Sequence, residues 1–268
     1  MKILNIMLKD SKKYNNTLYG LTNYWNYYAK SFIRHIKKHN LDQSKYHRVY
    51  DAMSIFLNDK GKQRYTDIIN YAEKYINFNE INTVAELGCG GAYQMILLKK
   101  KYPHLTILLF DIPPFLYATE SNVSKNTDKF VSYMDTRAMK PSDVVIDGSV
   151  YVFSNWMFPL IMYKNIDLFW NSGSFQEMES DVVGNYLDYV NLSAKNVLLY
   201  ECMDNSLTWG VRTAKNNRER GVIKRVWLKN YIDGLSNFNL ENLSIHEFPY
   251  CFTYWRNKNE KCRALPVL

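Results

Sequence analysis

From Ile81 onward, short apolar runs alternate with longer amphipathic segments. In order the runs are TVAEL, LTILLF, SVYVF, IDLFW and NVLLYE, and segments such as DVVGNYLDYV lie between them. Apolar runs of this length are typical of strands buried on both faces. Strands that alternate with helices form right-handed βαβ units, which gives an α/β fold with one mostly parallel sheet. Residues 243–268 have strand character without room for a further helix, so a closing hairpin brings the predicted sheet to seven strands.

The first eighty residues carry no strand signal. Apolar residues recur there at spacings of three and four, which is typical of amphipathic helices. One segment contains Trp25, Tyr28, Phe32 and Ile36, and another contains Tyr65, Ile68, Ile69, Ala72, Tyr75 and Ile76. A chain of 268 residues is long enough for one α/β domain with an added helical segment. We therefore predict a helical cap over residues 1–79 and an α/β domain over residues 80–268.

Composition argues against several classes of protein. The longest apolar runs are far shorter than the roughly 20 residues of a membrane helix, and the apolar centre of MKILNIMLKDSKKY is too short for a secretory signal. We therefore expect a cytoplasmic protein. The four cysteines are widely separated and lack metal-ligand spacing with the histidines, so reduced thiols and no metal site are expected.

The net charge is +8, and part of this excess is local. Seven basic residues lie between Val211 and Asn230 against the single acid Glu219: Arg212, Lys215, Arg218, Arg220, Lys224, Arg225 and Lys229. Such a run is either a solvated helix face or a rim that receives the anionic groups of a substrate. The sequence leaves both interpretations open.

A glycine cluster, ELGCGGA, follows the first predicted strand. In an open parallel sheet, ligands bind beyond the carboxyl ends of the strands, where the first strand-to-helix turn begins. Gly88 and Gly90 would let the backbone approach a ligand closely, because they have no Cβ. A dinucleotide fingerprint needs its third glycine at position 93, which is Tyr93 here. The turn therefore favours a ligand other than a dinucleotide.

Two acids flank this turn. Glu86 precedes Gly88 at the strand end, where it would repel a pyrophosphate but suit a cation. Asp111 ends the second apolar run, 21 residues after Gly90, where an acid can accept both hydroxyls of a ribose. A ribose without phosphates and with a cationic tail describes S-adenosylmethionine. The alternative is an ordinary tight turn with surface acids.

ELGCGGA together with FDIPP resembles the class I S-adenosylmethionine-dependent methyltransferases, whose first motif is acid-x-Gly-x-Gly-x-Gly, with Ala92 here at the last position. Residues 167–190, DLFWNSGSFQEMESDVVGNYLDYV, with the Asp-Ile-Pro, resemble the bacterial sugar O-methyltransferases of surface-polysaccharide gene clusters. The likeness covers roughly residues 61–202. It implies a Rossmann-like catalytic domain that binds S-adenosylmethionine and releases S-adenosylhomocysteine, with the N-terminal cap contributing to substrate binding.

The resemblance also implies roles for matching residues. Glu86, Gly88 and Gly90 would line the methionine end of the cofactor, with Asp111 at its ribose and Ile112 beside its adenine. Asn155 and Trp156 of FSNW would also reach the adenine, although a Trp156 that serves only the core fits equally well. The fourth-strand motif NSGSFQEM would face the transferred methyl group through Ser172, Phe175, Gln176 and Glu177.

Methyl transfer from a sulfonium is an in-line displacement, which needs positioning and no metal. A protonated sugar hydroxyl is a poor nucleophile, so a nearby base would help. Glu177 is the first candidate because it follows the fourth strand, and His246 is the second. The alternatives are a carboxylate favoured at a helix start and an ordinary strand histidine.

The leading hypothesis is an O-methyltransferase that acts on a sugar hydroxyl of a nucleotide-linked sugar or of a capsule or other surface-polysaccharide precursor. NSGS stands where enzymes that methylate amines of bases commonly carry Asn-Pro-Pro-Tyr, which disfavours a nucleobase amine. RNA, suggested by the net charge, and a small phosphorylated or carboxylated acceptor remain alternatives. A non-catalytic scaffold that retains the cofactor pocket is a further alternative, and the sequence leaves homo-oligomerisation open.

Overall fold

The computed structural model describes residues 2–11, 59–162, 165–178, 180–202, 228–247 and 250–259. The predicted helix around Trp25 to Ile36 lies outside these residues. So do six of the seven basic residues between Val211 and Asn230, of which only Lys229 is described.

One sheet of eight strands forms the centre of the described residues. The strands are β1 (Thr83–Leu87), β2 (Thr106–Asp111), β3 (Phe130–Val131), β4 (Val150–Ser154), β5 (Ile166–Ser172), β6 (Ala194–Cys202), β7 (Phe238–Glu247) and β8 (Tyr250–Asn257). Their order across the sheet is β3-β4-β2-β1-β5-β6-β8-β7. All pairings are parallel except those of β8, which is antiparallel to both β6 and β7.

Helices connect these strands. They are α1 (Lys2–Ser11), α2 (Asp59–Ala72), α3 (Tyr93–Lys101), α4 (Pro113–Val123), α5 (Tyr133–Thr136), α6 (Phe158–Ile161), α7 (Ser180–Ser193) and α8 (Leu228–Gly234). Short 3-10 helices span Pro141–Asp143, Asn155–Met157 and Phe175–Glu177. None of the helices in the described ranges is long and apolar enough to cross a membrane.

The predicted α/β fold is confirmed. The five apolar runs form β1, β2, β4, β5 and β6, and the C-terminal hairpin is β7 and β8. The structure adds an eighth strand, β3, which has only two residues and pairs with β4 at the edge of the sheet. Every residue of β1, β2 and β4 is buried, as expected for parallel strands covered on both faces.

Helix α2 packs on the antiparallel side of the sheet. Tyr71 stacks on Phe252 with ring centroids 4.3 Å apart, and its hydroxyl donates a hydrogen bond to Asn242 Oδ1 at 2.9 Å. The helix ends at Ala72, so Tyr75 of the predicted helical pattern lies beyond it and stacks on Tyr254. Helix α2 and the turn after it, which belong to the predicted cap, are therefore joined to the sheet by aromatic contacts, while the division at residue 79 stays a prediction.

Helix α1 is fixed at a distant point of the same fold. Asp10 is buried and accepts hydrogen bonds from the Tyr133 hydroxyl at 2.7 Å and from the guanidinium of Arg137 at 2.8 and 2.9 Å. These contacts attach the start of the chain to α5, behind β4.

Candidate functional site

The glycine turn after β1 has the backbone that its sequence predicts. Gly88 and Gly90 have φ values of +73° and +55°, and Ala92 is left-handed at +58°. A Cβ on Gly88 would lie 2.1 Å from Ser174 Oγ, which no real side chain tolerates. Gly88 N donates to Phe110 O at 2.8 Å, which ties the turn to β2. The bend therefore depends on a glycine at position 88, both for conformation and for space.

Glu86 lies at the tip of β1 and is 3% exposed. Its Oε1 accepts a hydrogen bond from Gln94 Nε2 at 3.4 Å, whereas its Oε2 is buried and accepts none from the described residues. Burial, with a further contribution from the charge of Asp111, raises the pKa of Glu86 from 4.5 to about 8. A buried carboxylate in this state is stabilised in its ionised form by a cation.

Asp111 ends β2 across the turn from Glu86. Its Oδ2 accepts from Gly90 N at 2.6 Å, and its Oδ1 accepts from Ile112 N at 2.7 Å. A carboxylate oxygen has more than one acceptor site, so an oxygen that accepts from a backbone N–H can also accept from a hydroxyl. The acid that was predicted to bind ribose thus also fixes Gly90 and Ile112, two other residues predicted to line the cofactor.

Gln94, on the first turn of α3, joins the tips of β1 and β5. Its Nε2 donates to Glu86, and its Oε1 accepts from Ser172 Oγ at 3.2 Å. Ser172 Oγ in turn accepts from Trp170 Nε1 at 2.9 Å. The structure therefore links Ser172 to Glu86 through one buried amide.

The segment after β5 is held by a second network. Asn171 Nδ2 donates to Leu87 O and to Ser174 Oγ, both at 2.8 Å. The fully buried Glu201, near the end of β6, accepts from Gly173 N at 2.8 Å and from Gln176 N at 3.3 Å. The predicted methyl-facing loop is thus bonded to the tips of both neighbouring strands.

Within this loop, Phe175 has a fully buried ring that stacks on Phe169, Tyr186 and Tyr231. Gln176 is half-buried. Glu177 ends the short 3-10 helix that begins at Phe175, and its side chain lies outside the described residues. The backbone of Glu177 therefore belongs to this loop, and its part as a base stays a prediction.

Asn155 and Trp156 follow β4 and are both buried. Asn155 Nδ2 donates to the Tyr186 hydroxyl at 3.2 Å, beneath the tip of β4. Burial raises the pKa of Tyr186 far above its usual range, and the charge of Asp111 adds to the rise. Asn155 and Asp111 therefore both influence the hydroxyl of Tyr186. The contact of Asn155 with adenine stays a prediction.

His246 lies near the carboxyl end of β7. Because β8 is antiparallel to both neighbours, β7 runs parallel to β6 and this end faces the same edge of the sheet as Glu86. The Nδ1 atom of His246 is 3.3 Å from the Tyr200 hydroxyl, and its Nε2 atom is 3.7 Å from Asp67 Oδ2. Three strands separate β7 from β1, so at about 4.8 Å a strand His246 is roughly 19 Å along the sheet from Glu86. Of the two candidate bases, Glu177 follows the nearer strand, because β5 pairs directly with β1.

Sequence reasoning missed Gln94 and Glu201. Glu201 carries a signal that could have found it, since it is an acid at the end of an apolar strand, as are Glu86 and Asp111. Gln94 has no such signal, because its role depends on two strand tips that are 8 and 78 residues away in sequence.

Solved structures identify the class of fold. The mitomycin 7-O-methyltransferase MmcR is 15% identical and has a TM-score of 0.51, with 80% of this chain and 60% of that chain aligned. An O-methyltransferase family protein from Burkholderia thailandensis is 11% identical, with a TM-score of 0.52 over 78% of this chain and 63% of that one. A protein from Pyrococcus horikoshii OT3 is 13% identical, with a TM-score of 0.52 over 80% of this chain and 99% of that one.

The chain therefore has the Rossmann-like fold of class I methyltransferases, and at these identities the likeness shows the fold alone. It spans less than two thirds of the mitomycin enzyme and of the Burkholderia protein. No protein-family model matches the sequence, and no curated protein matches it either.

Proposed function

We propose that this protein is an S-adenosylmethionine-dependent O-methyltransferase. The observation that carries the proposal is the pair of buried acids, Glu86 and Asp111, on either side of a turn that only glycine can form at position 88. Glu86 has a buried oxygen that accepts no hydrogen bond from the described residues, and burial raises the pKa of this carboxyl group, so its ionised form would be stabilised by a cation beside it. The ammonium group at the methionine end of the cofactor fits that requirement.

Each part of the cofactor would then be bound by specific residues. Glu86 would bind its ammonium group, the left-handed turn at Gly88 and Gly90 would let it approach the backbone, and Asp111 would accept the ribose hydroxyls. Ile112, Asn155 and Trp156 would lie at the adenine. The cofactor supplies a methyl group on a sulfonium; the protein's part is to align the acceptor oxygen with that carbon and to exclude water.

We propose a sugar hydroxyl as acceptor, on a nucleotide-linked sugar or a surface-polysaccharide precursor. Support comes from the likeness of residues 167–190 to sugar O-methyltransferases and from the net charge of +8. A base that removes the hydroxyl proton would accelerate the reaction by roughly 10²–10⁴-fold. Glu177 is the first candidate for that base and His246 the second.

Calorimetry with S-adenosylmethionine and S-adenosylhomocysteine tests the cofactor. We expect both to bind, and Asp111→Ala to weaken binding by roughly 1.5–3 kcal/mol through loss of charged hydrogen bonds. Asp128→Ala, which changes an exposed acid, is the control and should leave the affinity unchanged. Absence of binding to the wild-type protein would dispose of the proposal, and an unchanged affinity in Asp111→Ala would remove Asp111 from the ribose.

Transfer of labelled methyl to nucleotide sugars and to glycan extracts tests the acceptor. Glu177→Gln should lower turnover while the cofactor affinity stays intact. A fully active Glu177→Gln variant together with an inactive His246→Ala variant would move the role of base to His246. Cofactor binding without transfer to any acceptor would favour the scaffold hypothesis.

RNA is the second candidate acceptor, because the positive net charge suits a polyanion. It predicts RNA binding that weakens steeply with salt, as contacts to several phosphates require. Filter binding at two salt concentrations distinguishes the two: strong, salt-dependent binding supports RNA, and its absence supports a small acceptor.

A further inference from the structure

A cationic side chain lies against two aromatic rings at the carboxyl edge of the sheet. Arg64 Cζ, on α2, is 4.9 Å from the ring centroid of Tyr200 and 5.0 Å from that of Tyr250. The two rings stack with centroids 5.4 Å apart and an interplanar angle of 15°. A guanidinium held over two aromatic rings has a fixed position, because each ring attracts its charge.

This position is beside the candidate cofactor site. Tyr200 on β6 pairs in register with Ser172 on β5, and Tyr200 O accepts a hydrogen bond from Gly173 N at 2.9 Å. Ser172 is connected to Glu86 by Gln94. The next residue of α2, Tyr65, is affected by both charges: burial raises its pKa to about 12, the charge of Arg64 opposes the rise, and the charge of Glu86 adds to it.

The sheet order indicates where an acceptor would enter. If Asp111 on β2 binds the ribose, the methionine end of the cofactor extends from β2 over β1 toward β5. The acceptor must approach the methyl group from the side of β5 and β6, since the adenine occupies the side of β4. Arg64 lies on that approach side, next to the last residues of β6.

The chemistry of a guanidinium specifies the kind of group it would meet there. It carries five N–H donors in one plane, which match two oxygens of a phosphate or a carboxylate. Arg64 is half-buried, so its charge is screened less than that of a fully exposed arginine.

We propose that Arg64, held by Tyr200 and Tyr250, binds an anionic group of the acceptor, either a phosphate or a carboxylate. It thereby selects a charged sugar derivative over a neutral sugar. The proposal rests on the proposed function for the identity of the acceptor, while the anion site itself can be measured without the cofactor.

Titration with three probes tests this site: uridine diphosphate for a phosphate, glucuronate for a carboxylate and glucose as the neutral control. We expect the wild-type protein to bind at least one anion more tightly than glucose. Arg64→Gln should weaken that binding about tenfold or more, as expected for loss of a charged hydrogen-bond partner. Arg64→Lys keeps the charge but not the planar set of donors, so it should weaken anion binding by a smaller factor than Arg64→Gln. The anion that depends on Arg64 identifies the group as phosphate or carboxylate.

Arg256→Gln is the matched control. Arg256 also lies over a tyrosine, with Cζ 5.9 Å from the Tyr254 ring, but it pairs in register with Asn196 at the opposite edge of the sheet. Equal losses of anion affinity in Arg64→Gln and Arg256→Gln would show that the affinity depends on the net positive charge and not on the position of Arg64, which would overturn the proposal. Anion binding that is unchanged in Arg64→Gln, or absent from the wild-type protein, would do the same.

Each titration is repeated with and without S-adenosylhomocysteine. We expect Arg64→Gln to keep its affinity for that compound and its melting temperature. If the wild-type protein fails to bind S-adenosylhomocysteine but shows Arg64-dependent anion binding, the proposed function is wrong and the anion site stands. If Arg64→Gln does not fold, Arg64→Lys decides: an anion affinity equal to that of the wild type means that positive charge alone suffices and overturns the guanidinium site.

Discussion

Gly88 is the residue at which conformation, packing and ligand access coincide. Its φ of +73° is unfavourable for any residue with a Cβ, and the position of that Cβ is already taken by Ser174. Ser174 is itself bonded to Leu87 O and Asn171, so it cannot move without disturbing the tip of β1. The turn is therefore intolerant of even a methyl group.

We expect Gly88→Ala to destabilise the protein by about 2 kcal/mol or more, because strain in the backbone and a clash act together. Gly184→Ala is the matched control, since Gly184 lies inside α7 with nothing within 4 Å of a new Cβ. That change should instead stabilise the protein by roughly 0.5–1 kcal/mol. Thermal or urea unfolding of both variants measures the contrast. Similar free energies of unfolding for the two would contradict the strained turn.

The end of β6 positions the loop that follows β5. Glu201 offers two carboxylate oxygens to two backbone amides, those of Gly173 and Gln176. One buried side chain therefore holds the loop backbone at two positions, one on each carboxylate oxygen. Hydrogen bonds to a charged acceptor are stronger than those between neutral groups. The loop that was predicted to face the methyl group thus takes its shape from a neighbouring strand.

We expect Glu201→Gln to loosen this loop, because an amide group has one acceptor oxygen and turns an N–H donor toward the other backbone N–H. The cost should be about 1–3 kcal/mol of stability, as for other buried donors left unpaired. Turnover should fall while the affinity for S-adenosylhomocysteine stays close to that of the wild type. Calorimetry and a methyl-transfer assay on the same preparation separate the two effects. A normal turnover in a destabilised variant would limit Glu201 to a structural role.

The elements that could be predicted from the sequence are those with a clear apolar run or a regular apolar spacing. Seven strands and the helix at residues 181–190 follow from periodicity, because burial on one or both faces leaves a pattern in the sequence. Strand β3 escaped prediction because two residues cannot show a period. The helical pattern at Tyr65 to Ile76 was extended past the true end of α2 at Ala72, since Tyr75 continues the apolar spacing but packs from a turn.

The site was predictable only where a residue type and a strand end coincide. Glu86 and Asp111 were predicted in this way; the structure buries both of them beside the turn, and their contacts with the cofactor stay a prediction. Gln94, Arg64 and Tyr200 were not found, because each acts through partners that are distant in the sequence. Such contacts depend on how α2 and α3 pack on the sheet, and no local pattern encodes that packing.

At the scale of the whole molecule, the titration of buried carboxyl groups links the candidate site to the stability of the fold. Glu86 and Glu120 both have raised pKa values, mainly because burial removes water from their carboxyl groups. Each group binds a proton more tightly in the folded protein than in the unfolded chain. Folding is therefore coupled to pH through two buried carboxyl groups.

Glu86 gives this coupling a defined pH window. Its pKa is 4.5 in an ordinary environment and about 8 in the folded protein. Between these values the unfolded chain has released the proton while the folded protein keeps it, so the free energy of unfolding falls as pH rises. The stabilisation is complete below pH 4.5 and is lost as pH passes through about 8.

Glu86→Gln should remove this dependence, because glutamine is uncharged at every pH. We expect the variant and the wild type to be similarly stable near pH 5 and the variant to be more stable near pH 9, by on the order of 4 kcal/mol. The same substitution should weaken binding of S-adenosylmethionine, since a cation no longer meets a carboxylate. Chemical unfolding at several pH values, with and without S-adenosylhomocysteine, measures both effects. A variant whose stability falls with pH as steeply as that of the wild type would show that Glu86 is ionised in the folded protein throughout this window, and the argument for a cationic ligand would lose its basis.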